Sequence, residues 1–357
     1  MARRVVVAMS GGVDSSVAAY ILREQGYDVI GVGLRLPALA DADVAAGACC
    51  GIAGMEDAQR VAAQIGIPFY VLNYERRFMQ AVVEPFCQAY AAGQTPNPCV
   101  DCNTRVKFGA LLDTALALGA EYIATGHYAR LDGDPGRLTL RRASDPTQDQ
   151  SYFLWGIPPA RLAHTLFPLG ALHKSQVRQI AAGVGLHVAH KPGSQDICFL
   201  QGADYRAFLL SRCPQAFRPG PILDAAGAVL GEHCGVVNYT IGQRRGLRLA
   251  AGRPLYVQAI DAARAAIIVG PKAETSETLI LGQVNWLAEA LPAQGRRLLV
   301  KTRYRGAEAP ALVMPAPAGG VYVRFERPQP PAAAGQSAVF YDGDRVAGGG
   351  VIQPARV

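Results

Sequence analysis

The sequence predicts an α/β protein built on a parallel sheet that helices cover on both faces. Over the first two hundred residues, short apolar runs typical of strands alternate with helical patterns, as in doubly wound sheets. The strand-like runs are Val5–Met9, Val29–Leu36, Phe69–Asn73 and Tyr122–Thr125, and the helical patterns are Ser15–Gln25, Met55–Gly66, Tyr74–Ala92 and Lys107–Leu118. Because ligands bind such sheets at the carboxyl ends of the strands, we expect the functional site there.

The last quarter of the chain has a different pattern, which predicts a small antiparallel β-barrel. From about Thr278 onward, turn-forming residues separate short β-type runs, and Asp342-Gly343-Asp344 predicts a hairpin turn. Three of these runs are Leu298–Tyr304, Val321–Glu326 and Ala338–Tyr341. A turn-rich stretch that begins around Arg218 precedes them. We therefore expect a sheet domain over residues 1–205, a small central linking domain over 206–276 and the barrel over 277–357.

The composition of the 357-residue chain is that of a globular protein with an excess of basic residues. Half of the residues are hydrophobic, which supports a sizeable core in two or three domains. The net charge of +7 favours a polyanionic partner, without distinguishing nucleic acid from an acidic protein surface. No apolar run reaches the length of a membrane span, and the N-terminus lacks the apolar segment of a signal peptide. We therefore expect a cytoplasmic protein without membrane contact, whose eight cysteines are thiols or metal ligands rather than structural disulfides.

A glycine-rich turn joins the first strand-like run to the first helical pattern. Glycines at Gly11 and Gly12 permit close approach of a ligand, and the following helix start offers unpaired N–H groups to an anion. The stretch therefore predicts a phosphate cradle, and the alternative is a glycine turn before a core helix. No Walker A motif occurs in the chain, and Gly31-Val32-Gly33 lacks the third glycine of a dinucleotide fingerprint. The Ser-Gly-Gly-x-Asp-Ser form resembles the PP-loop of ATP pyrophosphatases, which transfer AMP to a substrate oxygen.

Two cysteine settings are candidates for chemistry. Cys99 and Cys102 form a Cys-x-x-Cys in a proline-framed segment that we expect to be a rigid loop. The pair fits a zinc site completed by the adjacent Cys49 and Cys50, a thioredoxin-type dithiol, or a catalytic thiol with a distant partner. Cys198 is the candidate partner because it follows the polar segment 190–193, although a lone cysteine in an apolar stretch is also a common core residue. The remaining cysteines, which lack such settings, are expected to be packing residues: Cys87, Cys213 and Cys234.

With these features together, the chain resembles the tRNA-specific 2-thiouridylases from end to end. Ten short segments carry the resemblance, in order along the chain: residues 9–16, 95–98, 102–103, 107–108, 124–128, 149–154, 197–199, 239–244, 303–304 and 335–341. The resemblance implies a PP-loop domain of the adenine-nucleotide α-hydrolase type, followed by the central domain and the barrel. It also implies a reaction in which ATP adenylates the 2-carbonyl oxygen of the wobble uridine of tRNA, and persulfide sulfur then displaces AMP to leave 2-thiouridine.

The resemblance assigns roles to residues of this sequence. It implies that ATP, accompanied by Mg²⁺, contacts Ala8, Met9, Ser10, Gly11, Gly12, Val13, Asp14, Ser15, Leu34 and Gly126. Cys198 would carry the persulfide, supplied by an upstream sulfur carrier or a cysteine desulfurase-linked donor. Cys102 would be the nucleophile that releases hydrosulfide from this persulfide, or that forms a transient disulfide with Cys198 after direct attack on the base. We expect no permanently bound cofactor or metal, a mobile Cys198 segment and a monomer.

For tRNA, the resemblance implies contacts in the anticodon loop with a wobble base flipped out of its stack. The implied contact residues are Asn97, Pro98 and Cys99 beside the target base, with His127, Gln148, Asp149, Gln150, Arg303, Tyr304 and Gln336. Two positions depart from the family pattern. Cys99 stands where some members carry an acid, so either that acid is dispensable or Asp101 replaces it. Gln148 stands where a lysine is frequent. Arg141 or Arg142 could restore that missing charge.

Three rival functions stay open at the level of sequence. The first is a PP-loop ligase or amidase that acts on a small metabolite, which would not need both Cys102 and Cys198. The second is a tRNA thiolase in which Cys99, Cys102 and another cysteine hold an iron–sulfur cluster. The third is a non-enzymatic protein that binds RNA or metal, in which Asp14 would be dispensable.

Overall fold

The computed structural model describes residues 2–37, 52–134, 138–193, 197–200, 204–271 and 275–354. The chain forms two compact units. The first unit comprises residues 1–82, 98–203 and 344–346, and the second unit comprises residues 83–97, 204–343 and 347–357. The division into three domains stays a prediction. Among the described residues, no helix is both long and apolar enough to cross a membrane.

The strands alternate with helices early in the chain and follow one another later. The strands are β1 Arg4–Ala8, β2 Asp28–Arg35, β3 Phe69–Asn73, β4 Tyr122–Thr125, β5 Ala129–Asp132, β6 Thr139–Arg142, β7 Thr165–Leu166, β8 Gly220–Leu223, β9 Val229–His233, β10 Tyr256–Asp261, β11 Ala266–Gly270, β12 Ser276–Trp286, β13 Arg296–Lys301, β14 Ala309–Pro315, β15 Val321–Gln329, β16 Ser337–Asp342 and β17 Arg345–Ile352. The helices are α1 Val13–Glu24, α2 Ile52–Gln64, α3 Glu75–Phe78, α4 Glu84–Ala91, α5 Pro98–Asp101, α6 Leu112–Ala117, α7 Pro159–Leu162, α8 Lys174–Gly183 and α9 Tyr205–Arg212, with π-helical segments at Met79–Val83 and Cys102–Leu111.

The first unit is built on a five-stranded parallel sheet in the order β3-β2-β1-β4-β7. The chain runs from β1 outward to β3 and then returns to place β4 on the other side of β1, so the order reverses between these two strands. Ala8 pairs with Thr125 at the carboxyl ends of β1 and β4. Ligand crevices of open α/β sheets form at such switch points, and the predicted fold class is confirmed.

Apolar side chains of the central strand and its neighbouring helix explain why this sheet forms. Val5 and Val7 of β1 are fully buried, and Val17 and Ala18 of α1 are fully buried in the same core. Because β1 is central, both of its faces are covered, which accounts for its uninterrupted run of valines. The core thereby fixes where β1 ends and α1 begins.

The predicted helix over Lys107–Leu118 begins nine residues too late. The helical segment starts with α5 at Pro98, continues as the π-helical segment Cys102–Leu111 and ends with α6. Proline fits the first turn of a helix because its missing N–H would have no intrahelical acceptor there. Cys99 and Cys102 therefore lie on a helix, and the predicted loop at these cysteines was wrong. Likewise, the predicted helix Tyr74–Ala92 consists of α3, a π-helical segment and α4.

The second unit contains a four-stranded sheet, in the order β10-β11-β8-β9, and a six-stranded antiparallel barrel. The barrel order is β12-β15-β14-β13-β16-β17, and β12 closes it by pairing with β17, with Leu281 opposite Ile352. Alternate barrel residues such as Val300, Val313 and Val323 fill its core. The predicted run Leu298–Tyr304 is too long, because β13 ends at Lys301 and places Arg303 and Tyr304 in a turn. The barrel and the turn at Gly343 are confirmed.

Candidate active site

The turn between β1 and α1 has the geometry of an anion cradle. Gly11 has a φ of +75°, and a Cβ there would lie only 2.0 Å from the carbonyl oxygen of Gly54. Gly12 is the extended N-cap residue, so α1 begins at Val13 with its first N–H groups facing the turn. Only glycine at position 11 permits this close backbone approach, which supports the cradle interpretation over an ordinary turn.

Serine hydroxyls fix the shape of this turn. The Ser10 N–H donates to Ser15 Oγ at 3.1 Å, and the hydroxyls of Ser15 and Ser16 donate to Gly12 O at 3.2 and 2.9 Å. The same backbone carbonyl thus receives two side-chain donors. Serines of the turn and of the first turn of α1 therefore contribute to holding the shape of the cradle.

Gly126 brings the end of β4 against the start of α1. A Cβ at Gly126 would lie 2.7 Å from the Ser15 nitrogen and 2.8 Å from the Asp14 carbonyl carbon. Leu34 lies near the carboxyl end of β2, on the other side of β1. Three neighbouring strands therefore place their carboxyl ends around the cradle.

The carboxylate of Asp14 is held by a cation and a phenol that the sequence patterns did not indicate. Lys174 Nζ lies 2.6 Å from both carboxylate oxygens, and the Tyr128 hydroxyl donates to Oδ1 at 2.7 Å. Burial, together with the Asp14 charge, raises the pKa of Tyr128. Lys174 is the first residue of α8, 160 positions away in sequence, so no local motif could have identified it.

A second cation, Lys191, reaches the cradle from the segment that precedes Cys198. Its ammonium donates to Asp57 Oδ2 at 2.7 Å and to Gly11 O at 3.3 Å, and Asp57 is also bonded to His187 Nε2 at 3.0 Å. Although burial acts to raise it, the pKa of Asp57 is lowered to about 2 by the hydrogen bonds from Lys191 and His187. Lys191 is therefore a positive charge anchored beside the cradle.

A cavity of about 460 Å³ in the first unit joins the cradle to the cysteines. Most of the residues predicted to contact ATP line it, namely Ala8, Met9, Ser10, Gly12, Val13, Asp14, Ser15, Leu34 and Gly126. Cys102, Cys198, His127 and Gln150 line the same cavity, together with Lys107 and Lys191. The structure thus brings together the predicted nucleotide cradle and both predicted catalytic thiols.

The thiols lie close enough to affect one another. Burial raises the pKa of Cys102 to about 12, and Lys107 acts in the opposite direction while Cys198 and Cys99 add to the increase. Burial likewise raises the pKa of Cys99 to about 11. Negative charge on one of these three sulfurs therefore disfavours ionisation of the neighbouring thiols.

His127 and Gln150 face the cavity with their hydrogen-bonding groups partly used. His127 Nδ1 is hydrogen-bonded to Thr125 Oγ1 at 2.8 Å, and burial, helped by Lys107, lowers the pKa of His127 well below its usual range. Gln150 Oε1 accepts from the Tyr128 N–H at 3.0 Å. His127 is therefore a neutral imidazole at pH 7.

Several predicted RNA residues have structural partners within the first unit. Asp149 is buried and accepts from the backbone N–H groups of Ala143 and Ser151, both at 3.1 Å. Pro98 is buried, and Cys99 and Gln148 are half-buried. Arg142 lies 3.8 Å from Asp149. The role of these residues in binding RNA stays a prediction.

The second unit holds the other predicted RNA residues. Arg303 and Gln336 line a cavity of about 410 Å³ with Thr95 and the turn 240–243. Gln336 Nε2 donates to Thr95 O at 2.8 Å, Arg303 is exposed, and the Lys301 ammonium lies 5.9 Å from the ring centre of Tyr304. Asn97 is half-buried.

Other sequence expectations had mixed outcomes. Cys87 and Cys213 are buried as predicted, but Cys234 is exposed, so its assignment as a packing residue was wrong.

Asp101, the candidate substitute for the acid at position 99, pairs with Arg105 at 3.5 Å, and burial raises the pKa of Asp101. Cys49 and Cys50 lie outside the described residues. Within the described ranges, no group of three or more His, Cys, Asp or Glu side chains is arranged to hold a metal.

Comparison with known proteins identifies the class and then the family. Residues 3–202 match the family model described as tRNA methyl transferase HUP domain, residues 206–271 its PRC-barrel domain, and residues 276–352 an aminomethyltransferase β-barrel domain. The fold and the cradle thus define a HUP-domain protein of the PP-loop class.

The tRNA-specific 2-thiouridylase MnmA of Magnetococcus marinus is 49% identical over 353 residues, covering 98% of this chain and 99% of the relative. Those of Symbiobacterium thermophilum and Clostridium acetobutylicum are 46% and 44% identical, covering 99% of this chain and 93% and 100% of the relatives. The chain belongs to the tRNA-specific 2-thiouridylase family.

Proposed function

We propose that this protein is a tRNA-uridine 2-sulfurtransferase, which uses ATP and a persulfide to convert the wobble uridine of tRNA to 2-thiouridine. The observation that carries the proposal is the single cavity lined by the nucleotide cradle, Cys102 and Cys198. A cradle alone fits any ATP pyrophosphatase. Two thiols facing the same cavity fit sulfur transfer to the atom that ATP activates.

The first step is activation of the base. A uracil carbonyl is a poor electrophile with a poor leaving oxygen, so O2 attacks the α-phosphorus of ATP and pyrophosphate leaves. The helix start at Val13 and the ammonium of Lys191 favour the negative charge that develops on the departing pyrophosphate. Mg²⁺ enters with ATP as part of the substrate. The product is an adenylated uridine whose leaving group is AMP.

The second step is displacement of AMP by sulfur, for which two routes stay open. In one route, the Cys102 thiolate attacks the Cys198 sulfur of the persulfide, a Cys102–Cys198 disulfide forms, and the released hydrosulfide attacks C2. In the other route, the terminal persulfide sulfur attacks C2 and AMP leaves, after which Cys102 attacks Cys198 and frees the thiolated tRNA. Both routes end in the same disulfide, which a thiol reductant must reduce before the next turnover.

The RNA contacts follow from the same proposal. The target base, flipped out of the anticodon loop, enters the cavity of the first unit beside His127 and Gln150. In the second unit, the exposed Arg303 contacts the RNA backbone and Tyr304 offers a ring for base stacking. The proposal further includes Asn97, Gln148, Asp149 and Gln336 as RNA-contacting positions. A sulfur-carrier or desulfurase-linked protein supplies the persulfide, and the protein acts as a cytoplasmic monomer.

The decisive experiment measures nucleosides. Purified protein is incubated with unmodified tRNA, ATP, Mg²⁺ and a cysteine desulfurase with cysteine, and the digested tRNA is analysed by mass spectrometry. We expect 2-thiouridine only when ATP is present, and none with Cys102→Ser, Cys198→Ser or Asp14→Asn. Cys234→Ser, which changes an exposed cysteine of the second unit, is the matched control and should retain activity.

The outcomes separate the rival functions. Full 2-thiouridine formation by Cys198→Ser with the protein donor would refute the proposal. ATP-dependent amide formation on a small metabolite would favour the ligase. A brown anaerobic preparation whose activity disappears with its visible absorbance would favour the iron–sulfur thiolase. Supply of sodium sulfide in place of the protein donor separates the two routes, because only free hydrosulfide attack bypasses Cys198.

A further inference from the structure

Lys107 lines the cavity but has no role in the reaction steps proposed above. It lies five residues after Cys102 on the same helical segment and lines the cavity with Cys102 and Cys198. Its ammonium donates to Asn103 Oδ1 at 3.1 Å, and Asn103 Nδ2 in turn donates to Phe153 O at 3.1 Å. Asn103 is buried, so the amide that holds the ammonium is itself fixed.

The π-helical winding explains how Lys107 comes to face the same cavity as Cys102. In an α-helix with 3.6 residues per turn, residue i+5 lies about 140° around the axis from residue i. In a π-helix, each N–H bonds the carbonyl five residues earlier, and the wider turn brings residue i+5 closer to the face of residue i than in an α-helix. The segment Cys102–Leu111 is π-helical, so Cys102 and Lys107 lie toward the same face and line one cavity.

The charges around Cys102 give Lys107 a distinct role. Lys107, Cys198, Cys99 and Asp101 act on the Cys102 sulfur, and Lys107 is the cation of this set. Arg105 on the same segment is engaged with Asp101. His127 is neutral at pH 7 and supplies no compensating charge.

We propose that Lys107 is the thiolate-stabilising residue of this site, supporting negative charge on the Cys102 sulfur before it attacks. The proton of Cys102 passes to solvent, and the ammonium then faces the sulfur anion. The same ammonium supports the charge of a persulfide anion on Cys198, and this second part rests on the proposed function. Because the thiolate is the attacking species, loss of the cation slows every step in which Cys102 is the nucleophile.

The test is the pH dependence of Cys102 alkylation in the full chain, without tRNA, ATP or sulfur donor. Iodoacetamide modification of the Cys102 peptide is followed by mass spectrometry between pH 7 and 11 for wild type, Lys107→Met and Lys107→Arg. We expect Lys107→Met to move the profile to higher pH and to slow alkylation at pH 8 by about tenfold, because less of the thiol is ionised at that pH. Lys107→Arg, which keeps the charge, should remain close to wild type.

Arg105→Met is the matched control, because it removes a positive charge from the same segment. A wild-type profile for Lys107→Met, or an equal displacement of the profile for both neutral variants, would overturn the proposal. Should Lys107→Met fail to fold, Lys107→Gln provides a second neutral variant that can still donate to Asn103. Because no tRNA or donor is present, this result is independent of whether the protein thiolates tRNA.

Discussion

Lys174 Nζ and the Asp14 carboxylate form a bidentate ion pair, with both N–O distances at 2.6 Å, between the start of α8 and the first turn of α1. Both side chains are mostly shielded from water, with 20% and 29% of their surfaces exposed. The pair therefore ties the phosphate cradle to a helix that begins 160 residues later.

Lys174→Met is expected to lower the free energy of unfolding by about 1–2 kcal/mol, since it leaves a partly buried carboxylate with only Tyr128 as the described donor. We also expect at least a tenfold loss of ATP-dependent activity. Urea denaturation and the nucleoside assay measure the two effects. Lys301→Met in the second unit is the control for loss of a lysine, and an equal effect on stability would contradict the prediction.

Asp57→Asn is expected to destabilise the protein in a pH-dependent manner. The pKa of Asp57 in the folded protein is lowered to about 2, below the value of 3.8 for an isolated aspartate side chain. The ionised carboxylate therefore stabilises the folded state above pH 4, and this stabilisation is lost as the pH falls toward 2. At pH 7 we expect a loss of about 1–2 kcal/mol, which becomes small near pH 2. Asp28→Asn, which breaks the exposed pair with Arg4, should cost far less at pH 7. A pH-independent difference between Asp57→Asn and wild type would contradict this account.

Gly11→Ala and Gly12→Ala are expected to separate folding from nucleotide binding. A Cβ at Gly11 meets the Gly54 carbonyl at 2.0 Å in a left-handed conformation that alone costs about 1–2 kcal/mol. A Cβ at Gly12 meets only Ser10 Oγ at 3.6 Å. We therefore expect Gly11→Ala to unfold at a clearly lower temperature. Gly12→Ala should fold normally but lose the thermal shift that ATP produces, and equal melting temperatures would refute this prediction.

Gly109→Ala is expected to disturb the π-helical segment that carries Cys102. A Cβ at Gly109 would lie 2.9 Å from the carbonyl oxygen of Thr104, five residues earlier. The Ala side chain normally stabilises a helix by up to about 1 kcal/mol, as we expect for the control Gly183→Ala, where the added Cβ has no heavy atom within 4 Å. A loss of stability for Gly109→Ala beside a gain for Gly183→Ala, measured by urea denaturation, supports the prediction. A gain in both variants would contradict it.

Local sequence patterns predicted the elements that depend on nearby residues alone, such as apolar strands and glycine turns. The bounds of β3 and β4 match their apolar runs, and the glycines at positions 11 and 12 mark the cradle. The start of the Cys102 helix was misplaced because prolines at positions 96 and 98 indicated a loop, whereas Pro98 opens the helix. Local propensity cannot distinguish a proline that precedes a helix from one that begins it.

Side chains that reach the site from distant segments could not be predicted. Lys174 and Lys191 meet Asp14 and Asp57 across 160 and 134 residues, and an isolated lysine in a sequence carries no mark of its partner. Cys234 was assigned to the core by default and is exposed. Lys107 lies in one of the ten segments that carry the family resemblance. Its position on the same face as Cys102 depends on a π-helical winding that the α-helical periodicity of the sequence does not reveal.

The pairing of β12 with β17 has a consequence for how the barrel tolerates truncation. The first and last strands of the barrel are hydrogen-bonded to each other, so the barrel is closed by the two ends of its own segment. Removal of β17 would open two strand edges at once, those of β12 and β16, and unpaired edges invite association with other chains. The barrel should therefore lose its structure in one step when shortened from the C-terminus, rather than fraying strand by strand.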